Sequence, residues 1–391
     1  MSVHPCFAKA SQGGPRSAKA SQAVPSQAVA KEGPSCEASA QQEPIRLMIV
    51  DDSTVARAVL GRMVAAEPDF EVVALAGNAA EALDALRSVR VDIVLLDVEM
   101  PGTSGLDALP EVLRAGKGAS VLVVSSMAED GAEVTVRALA QGAADTLPKP
   151  GTGYFAGRFS QVLAGRLRRI GRARRLQAGS TLSPPDVPIR LRDMSDRPVG
   201  CVALGASTGG PHPLTEFLRA LPPRIGAPIL VTQHLPALFM PYFARQLASA
   251  SGRAVHLAEE GQRLADDIVH VAPGHAHLCV ERHGAGARVK LTRERAPSGC
   301  LPSVDPMLAS VGDAYGEAGL GIMLSGMGRD GLAGSREIVA RGGAMMAQDR
   351  QSCAVWGMPR VVAEAGLACA VLPPAEHAAR IAARVEAGAC R

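Results

Sequence analysis

The 391-residue sequence is poor in aromatics, at 3%, with a single Trp and three Tyr. No run approaches the ~18 consecutive apolar residues of a membrane-spanning helix. The eight cysteines are scattered with no C-x-x-C pair, which argues against a zinc ribbon or a disulfide framework. A formal net charge of +3 is too small to imply a nucleic-acid partner by itself. The first 42 residues have no apolar signal core and are rich in Ala, Ser, Gln, Gly and Pro, so a disordered leader on a cytoplasmic protein is expected.

The remaining chain has apolar content enough for two cores, since hydrophobic residues make up 47% of the total. Apolar strand-like runs alternate with helix-periodic segments from Ile45 to Lys149. The strands predicted there are Arg46–Val50, Val72–Ala76, Val91–Leu96, Val121–Val124 and a weak Asp145–Leu147. Asn78 and Glu81 form a capping-box start for the second helix. This alternation implies a parallel sheet covered on both faces. A basic linker region at 151–197 follows, in which a basic helix-like piece from Phe159 to Leu176 leads into Gly179-Ser180-Thr181-Leu182-Ser183-Pro184-Pro185. A second α/β unit then runs over 198–388, with strands at Val199–Leu204, Pro228–Thr232, Ile268–Val271, Gly321–Leu324 and Gly343–Ala347. A hairpin is predicted at Cys279–Glu281 and Val289–Thr292.

Ligands of such sheets bind beyond the carboxyl ends of the strands. In the first unit those ends carry Asp51, Asp52, Asp97, Ser125 and Lys149. Three adjacent carboxylates repel one another unless a cation intervenes, and an all-oxygen set of this kind suits Mg²⁺. Asp97 could then attack a phosphoryl group, Lys149 could pair with the new charge, and Ser125 could bond a phosphoryl oxygen.

In the second unit, Gly205-Ala206-Ser207-Thr208-Gly209-Gly210 joins a buried strand to a helix. This is either a capped glycine turn or a nucleophile loop, with Ser207 open to a substrate. A serine needs a base, and the base needs an orienting acid. Of the nine histidines, His234 ends a strand at the same sheet edge, and Asp330 arrives there in Ser325-Gly326-Met327-Gly328-Arg329-Asp330-Gly331. His275 and His277 have a spacing that could suit a metal but have no acidic or cysteine neighbour. His377 is expected on a helix surface, and His212 lines the turn. The loop lacks the middle glycine of a dinucleotide fingerprint, and the order Ser…His…Asp differs from that of α/β-hydrolases.

Ile49-Val50-Asp51-Asp52-Ser53, Leu95-Leu96-Asp97-Val98-Glu99-Met100-Pro101-Gly102, Val123-Val124-Ser125-Ser126 and Lys149-Pro150 resemble response-regulator receiver domains over 45–150. The second unit is similar to the catalytic domain of chemotaxis protein-glutamate methylesterases (CheB-type). Besides the two glycine loops it shares Gln233-His234-Leu235-Pro236, Ala272-Pro273-Gly274, Pro302-Ser303-Val304-Asp305, Ala347-Gln348-Asp349 and Val355-Trp356-Gly357-Met358-Pro359.

The resemblance implies a flavodoxin-like receiver (44–150) with a phosphoaspartate at Asp97. It implies Mg²⁺ on Asp51, Asp52 and Asp97, with Ser125 and Lys149 touching the phosphoryl group. It implies a second, doubly wound and mostly parallel α/β esterase domain with a β-hairpin and no cofactor. There Ser207 is the nucleophile, His234 the base and Asp330 its orienter, while Thr208 and Met327 line the site and donate main-chain N–H groups to an oxyanion. The partners implied are a histidine kinase as phosphodonor and methyl-accepting chemotaxis receptors as substrates, with glutamine deamidation as a second activity. The alternatives are a DNA-binding regulator using Arg158 to Arg197, although no helix-turn-helix pattern is evident there, and an adaptor that only docks on receptors, against which the intact triad argues. Three positions depart from the family: Thr146, where an aromatic is usual, Pro148 before the lysine, and Cys300-Leu301, where a basic residue is common.

Overall fold

The computed structural model describes residues 43–125, 129–149, 156–177, 189–195, 197–284 and 286–389. The expected leader and the Gly/Ser/Pro stretch at 179–185 lie outside them.

The first domain alternates strand and helix: β1 (Ile45–Val50), α1 (Thr54–Ala65), β2 (Phe70–Ala76), α2 (Ala79–Ser88), β3 (Ile93–Asp97), α3 (Gly105–Ala115), β4 (Ser120–Ser125), α4 (Glu129–Ala140), β5 (Asp145–Pro148) and α5 (Ala156–Gln177). Its sheet has the order β2-β1-β3-β4-β5, with every pairing parallel. Helix starts follow local chemistry. Ser53 and Ser104 cap α1 and α3, and the Asn78–Glu81 box closes on α2, where Asn78 Oδ1 accepts from the Glu81 amide at 3.0 Å. Alternate residues of β1 serve opposite faces: Met48 and Val50 pack under α2 and α3, Leu47 and Ile49 under α1 and α5.

Helix α5 takes up the helix-like piece expected from Phe159 to Leu176, and it packs on the first domain where a linker was expected. Phe159, Leu163, Leu167 and Ile170 recur at helical spacing and are buried in the first domain's core. Its arginines turn to that domain's acids: Arg166 to Asp145 at 2.9 Å, Arg168 to Asp69 at 2.5 Å and to Glu67, and Arg174 to Asp92 at 3.5 Å.

The second domain runs β6 (Cys201–Ala206), α6 (Pro211–Ala220), β7 (Ile229–Gln233), α7 (Met240–Ser251), β8 (Val255–Leu257), β9 (Val269–Val271), then the hairpin β10 (His277–His283) and β11 (Gly286–Thr292). It continues with α8 (Val304–Tyr315), β12 (Gly319–Met323), α9 (Leu332–Ala340), β13 (Ala344–Gln348), α10 (Met358–Glu364), β14 (Ala368–Leu372) and α11 (Pro374–Ala389). Seven strands form a parallel sheet in the order β14-β13-β12-β6-β7-β9-β8, and the hairpin stands apart. Val202, Leu204 and Ala206 face a core that includes the fully buried Phe217 and Phe243; Cys201 and Ala203 face the opposite core beneath α8. Each buried aromatic contributes about 1.5–3 kcal/mol of transfer free energy. The strand order reverses between β6 and β12, so the connections that leave their carboxyl ends run in opposite directions and leave a crevice. Among the described residues, no helix is long and apolar enough to cross a membrane.

The two domains touch. Val136 of α4 is buried in the core cluster containing Phe217, and Leu235 packs on both cores. The Gly209 amide donates to the Ala144 carbonyl at 2.8 Å, and His212 Nδ1 lies 3.0 Å from the Ala140 carbonyl oxygen.

Candidate active site and phosphorylation site

Ser207 leaves the end of β6, His234 the end of β7, and Asp330 the loop after β12. The crevice brings them into one line: His234 Nδ1 is 3.1 Å from Ser207 Oγ, and His234 Nε2 is 2.7 Å from Asp330 Oδ2. With the ring proton on Nε2, Nδ1 is free to accept from the serine. Burial works against a charged ring. The hydrogen bond and charge of Asp330, with Cys300 beside it, outweigh burial and raise the His234 pKa to about 9. Burial likewise opposes the Asp330 carboxylate, yet its bonds to His234, Ser303 and the Val304 amide hold its pKa well below the usual range.

The glycines of the first loop each answer a close approach. Gly210 lies against Gln233 and Ala206 and precedes Pro211 at the first turn of α6. Gly209 has φ +71°, which favours glycine. The Ser207 amide is already committed to the Ser325 carbonyl at 3.0 Å, whereas the amides of Thr208 and Met327 donate to no group among the described residues. Gly326 lets Met327 come close, since a Cβ there would stand 3.0 Å from that of Ser207.

Two residues with no role assigned from sequence prove structural to this site. Ser303 Oγ donates to Asp330 Oδ1 at 2.6 Å while capping α8, and the Val304 amide donates to Oδ2 at 2.8 Å. Ser325 Oγ donates to the Thr208 carbonyl at 2.9 Å, and Gln348 Oε1 accepts from the Ser325 amide at 2.7 Å. Ser303 stands in a helix-cap pattern that sequence can show, but its bond to Asp330 spans the fold.

The other histidines fall elsewhere. His377 is fully buried on α11, with Nε2 3.0 Å from the Ala347 carbonyl oxygen, which corrects its expected place on the surface. Burial lowers its pKa to about 4, so it sits there neutral. His277 Nδ1 accepts from the Ser303 amide at 2.8 Å and Nε2 donates to the Glu294 carbonyl at 2.8 Å, so no lone pair is left for a metal. His275 is exposed.

The first domain gathers its five residues at the β1/β3 end of the sheet. Lys149 Nζ is 2.7 Å from Asp97 Oδ2 and 3.6 Å from Asp51 Oδ2. Burial raises the Asp97 pKa against the pull of Lys149 and the Glu99 amide. Burial also opposes the charge on Lys149, but Asp97, Asp51 and Glu99 outweigh it and raise its pKa. Oxygens of Asp51, Asp52 and Asp97 lie within 4.8 Å of one another, and the buried Asp51 Oδ2 has no hydrogen-bond donor. Such an oxygen-only set with an unsatisfied acceptor fits Mg²⁺. Ser125, at the end of β4, shares a 2.8 Å hydrogen bond through Oγ with Thr135 Oγ1 of α4.

Both domains match known families. The family described as "CheB methylesterase" matches residues 202–381, and "Response regulator receiver domain" matches residues 47–153. The chain is similar to protein-glutamate methylesterase/protein-glutamine glutaminase 1 of Paramagnetospirillum magneticum, with 38% identity over 86% of this chain and 95% of that one. It is also similar to the protein-glutamate methylesterase/protein-glutamine glutaminase of a Nocardioides species, with 38% identity over 87% and 95%. Among solved structures, the CheB methylesterase catalytic domain of Thermotoga maritima aligns at 33% identity and TM-score 0.46. The alignment covers 48% of this chain and 98% of that one.

Proposed function

This chain belongs to the CheB methylesterase family and is a receiver-bearing protein-glutamate methylesterase/protein-glutamine glutaminase, and we propose that Ser207, His234 and Asp330 perform its chemistry under the control of Asp97. The observation that supports this most is the continuous line Ser207–His234–Asp330 at 3.1 and 2.7 Å.

His234 Nδ1 takes the Ser207 proton as Oγ attacks the γ-carbonyl carbon of a glutamyl methyl ester. Negative charge moves onto the carbonyl oxygen, where the uncommitted Thr208 and Met327 amides are placed to receive it. His234 then returns the proton to the leaving oxygen, and methanol departs. A water that gives its proton to His234 attacks the acyl-serine, releasing glutamate and Ser207. With a glutamine side chain the same steps release ammonia. Asp330 holds the ring and stabilises its charged form, with Ser303 and the Val304 amide holding Asp330.

A CheB-type enzyme with a receiver acts on chemoreceptors and takes phosphate from a kinase; a cytoplasmic setting accords with both. Asp97 is the phosphoryl acceptor. Asp51, Asp52 and Asp97 would hold Mg²⁺, which supplies charge neutralisation at the phosphoryl oxygens. In the resting arrangement the Ala144 turn lies against Gly209, two residues from the nucleophile, while α4 packs on α6 and α7, and together they restrict a receptor helix. Phosphate at Asp97 draws the Ser125 hydroxyl and frees Thr135, shifting α4 away from the second domain.

Methanol release from methylated receptors, with and without a small phosphodonor, tests this reading. Ser207→Ala should lower the rate by at least ~10³-fold, as loss of a triad member does elsewhere, and Asp97→Ala should abolish stimulation alone. Wild-type release from Ser207→Ala would refute it.

A further inference from the structure

Beside the triad stands a thiol that none of the steps above uses. The segment between β11 and α8 carries Cys300 to the rim of the crevice, where its sulfur, a ring nitrogen of His234 and a carboxylate oxygen of Asp330 lie within 4.8 Å of one another. The other described cysteines, Cys201, Cys279, Cys353 and Cys369, are buried, whereas Cys300 is half-exposed. The trio is therefore reachable from solvent on its sulfur side.

We propose that Cys300, His234 and Asp330 form an inhibitory zinc site. Sulfur, imidazole nitrogen and carboxylate oxygen together are a donor set for Zn²⁺ and ill-suited to Mg²⁺ or Ca²⁺, which take oxygen. Zinc bonds of about 2.0–2.3 Å place tetrahedral ligand atoms about 3.3–3.8 Å apart. The Cys300 sulfur closes on the ion by up to about 1 Å while His234 Nε2 and Asp330 Oδ2, now 2.7 Å apart, open by about 0.6 Å, and the fourth position goes to water. Asp330 is already fixed from behind by Ser303 Oγ at 2.6 Å and the Val304 amide at 2.8 Å, the kind of support that orients metal ligands.

Binding involves no redox change. The Cys300 S–H proton passes to solvent as the S–Zn bond forms, and the charged His234 ring releases one proton to solvent so that the neutral imidazole supplies a nitrogen lone pair. A neutral imidazole has only one such lone pair. Bound at Nδ1, the metal takes the acceptor that Ser207 needs. Bound at Nε2, it forces the remaining ring proton onto Nδ1, and again nothing accepts from Ser207. Inhibition thus rests on reading His234 as the base of Ser207, whereas metal binding does not.

The test uses the full chain, with Co²⁺ as a spectroscopic substitute and Zn²⁺ in the methanol-release assay. Co²⁺ should give a near-ultraviolet thiolate-to-cobalt band that is lost in both Cys300→Ser and Cys300→Ala. Zn²⁺ should suppress wild-type release, and half-inhibition in each variant, relative to its own metal-free rate, should need about tenfold more Zn²⁺ or higher. Labelling of Ser207 by a fluorophosphonate in metal-free buffer verifies that each variant has an assembled site. Absence of the band in wild type, or a band of equal strength in both variants, overturns the zinc site. A cobalt band that needs Cys300, without any Zn²⁺ inhibition, overturns its inhibitory role. If Ser207→Ala still releases methanol, the triad reading fails while the cobalt result stands separately.

Discussion

The Ser125 hydroxyl shares a 2.8 Å hydrogen bond with that of Thr135, and the next residue of the same helix, Val136, is buried in the core of the other domain. Two consecutive residues of α4 therefore face the phosphorylation site and the catalytic domain. Thr135→Ala should leave phosphoryl uptake at Asp97 intact but reduce phosphodonor stimulation of methanol release several-fold. Radiolabel incorporation measured beside the esterase rate separates the two effects, and full stimulation in the variant would exclude this route.

Val136→Asp places a charge where α4 meets apolar side chains, which an interface cannot hold without a partner. The unphosphorylated enzyme should become faster by between about 5- and 150-fold, the range of 1–3 kcal/mol in coupling free energy. Its stimulation by a phosphodonor should shrink accordingly, as read by initial rates of methanol release.

Only the neutral His234 ring accepts the Ser207 proton. With the pKa raised to about 9, kcat/KM should climb about tenfold per pH unit from pH 7 and level off above 9. Asp330→Asn removes the charge that raises the pKa and leaves burial, which lowers it. The inflection should move down while kcat drops by about 10⁴-fold. The sign for stability is opposite to that for rate. The His234–Asp330 pair stabilises the fold fully below the unfolded histidine pKa of 6.5 and loses that contribution as pH rises through about 9.

Ser303 gives Asp330 a hydrogen bond to a charged acceptor, a class worth about 1.5–3 kcal/mol. Ser303→Ala should lower kcat about tenfold with KM little changed, because the loss falls on positioning the acid and not on holding the receptor. Steady-state kinetics on methylated receptor decides it; a pure KM effect would assign Ser303 to substrate binding.

Gly205 in β6 has Val304 of α8 directly above it: a Cβ there would lie 2.5 Å from Val304 Cγ1. Gly205→Ala should destabilise the second domain by about 1–3 kcal/mol through overpacking. Chemical denaturation should show a lower midpoint with the same slope.

The alternation of apolar runs and helical periods made the two α/β units legible, and the strand-end rule placed Asp51, Asp97, Ser207 and His234 at carboxyl edges of their sheets. The three-residue β8 lies at the sheet edge, half-buried and too short for a clear period, and β14 (Ala-Cys-Ala-Val-Leu) has a composition shared by strands and helices. Helix α5 was legible as a helical stretch, since Phe159, Leu163, Leu167 and Ile170 carry a helical period, but its docking into the first domain's core was not. His377 looked like a surface residue because an Ala-rich helix gives little contrast between its faces; β13 covers the one it occupies.

The sequence by itself determined which side chains stand at the ends of strands, because steric alternation, caps and glycine turns act over a few residues. Only the tertiary structure decided which of them meet. Ser207 and His234 are 27 positions apart, and His234 and Asp330 are 96 apart. They come together because the parallel sheet sets β6 between β7 and β12. The same packing brought Ser303 behind Asp330, Cys300 to the rim and the Ala144 turn against Gly209. No short-range pattern encodes those contacts, because each depends on two surfaces folding separately and then closing on one another.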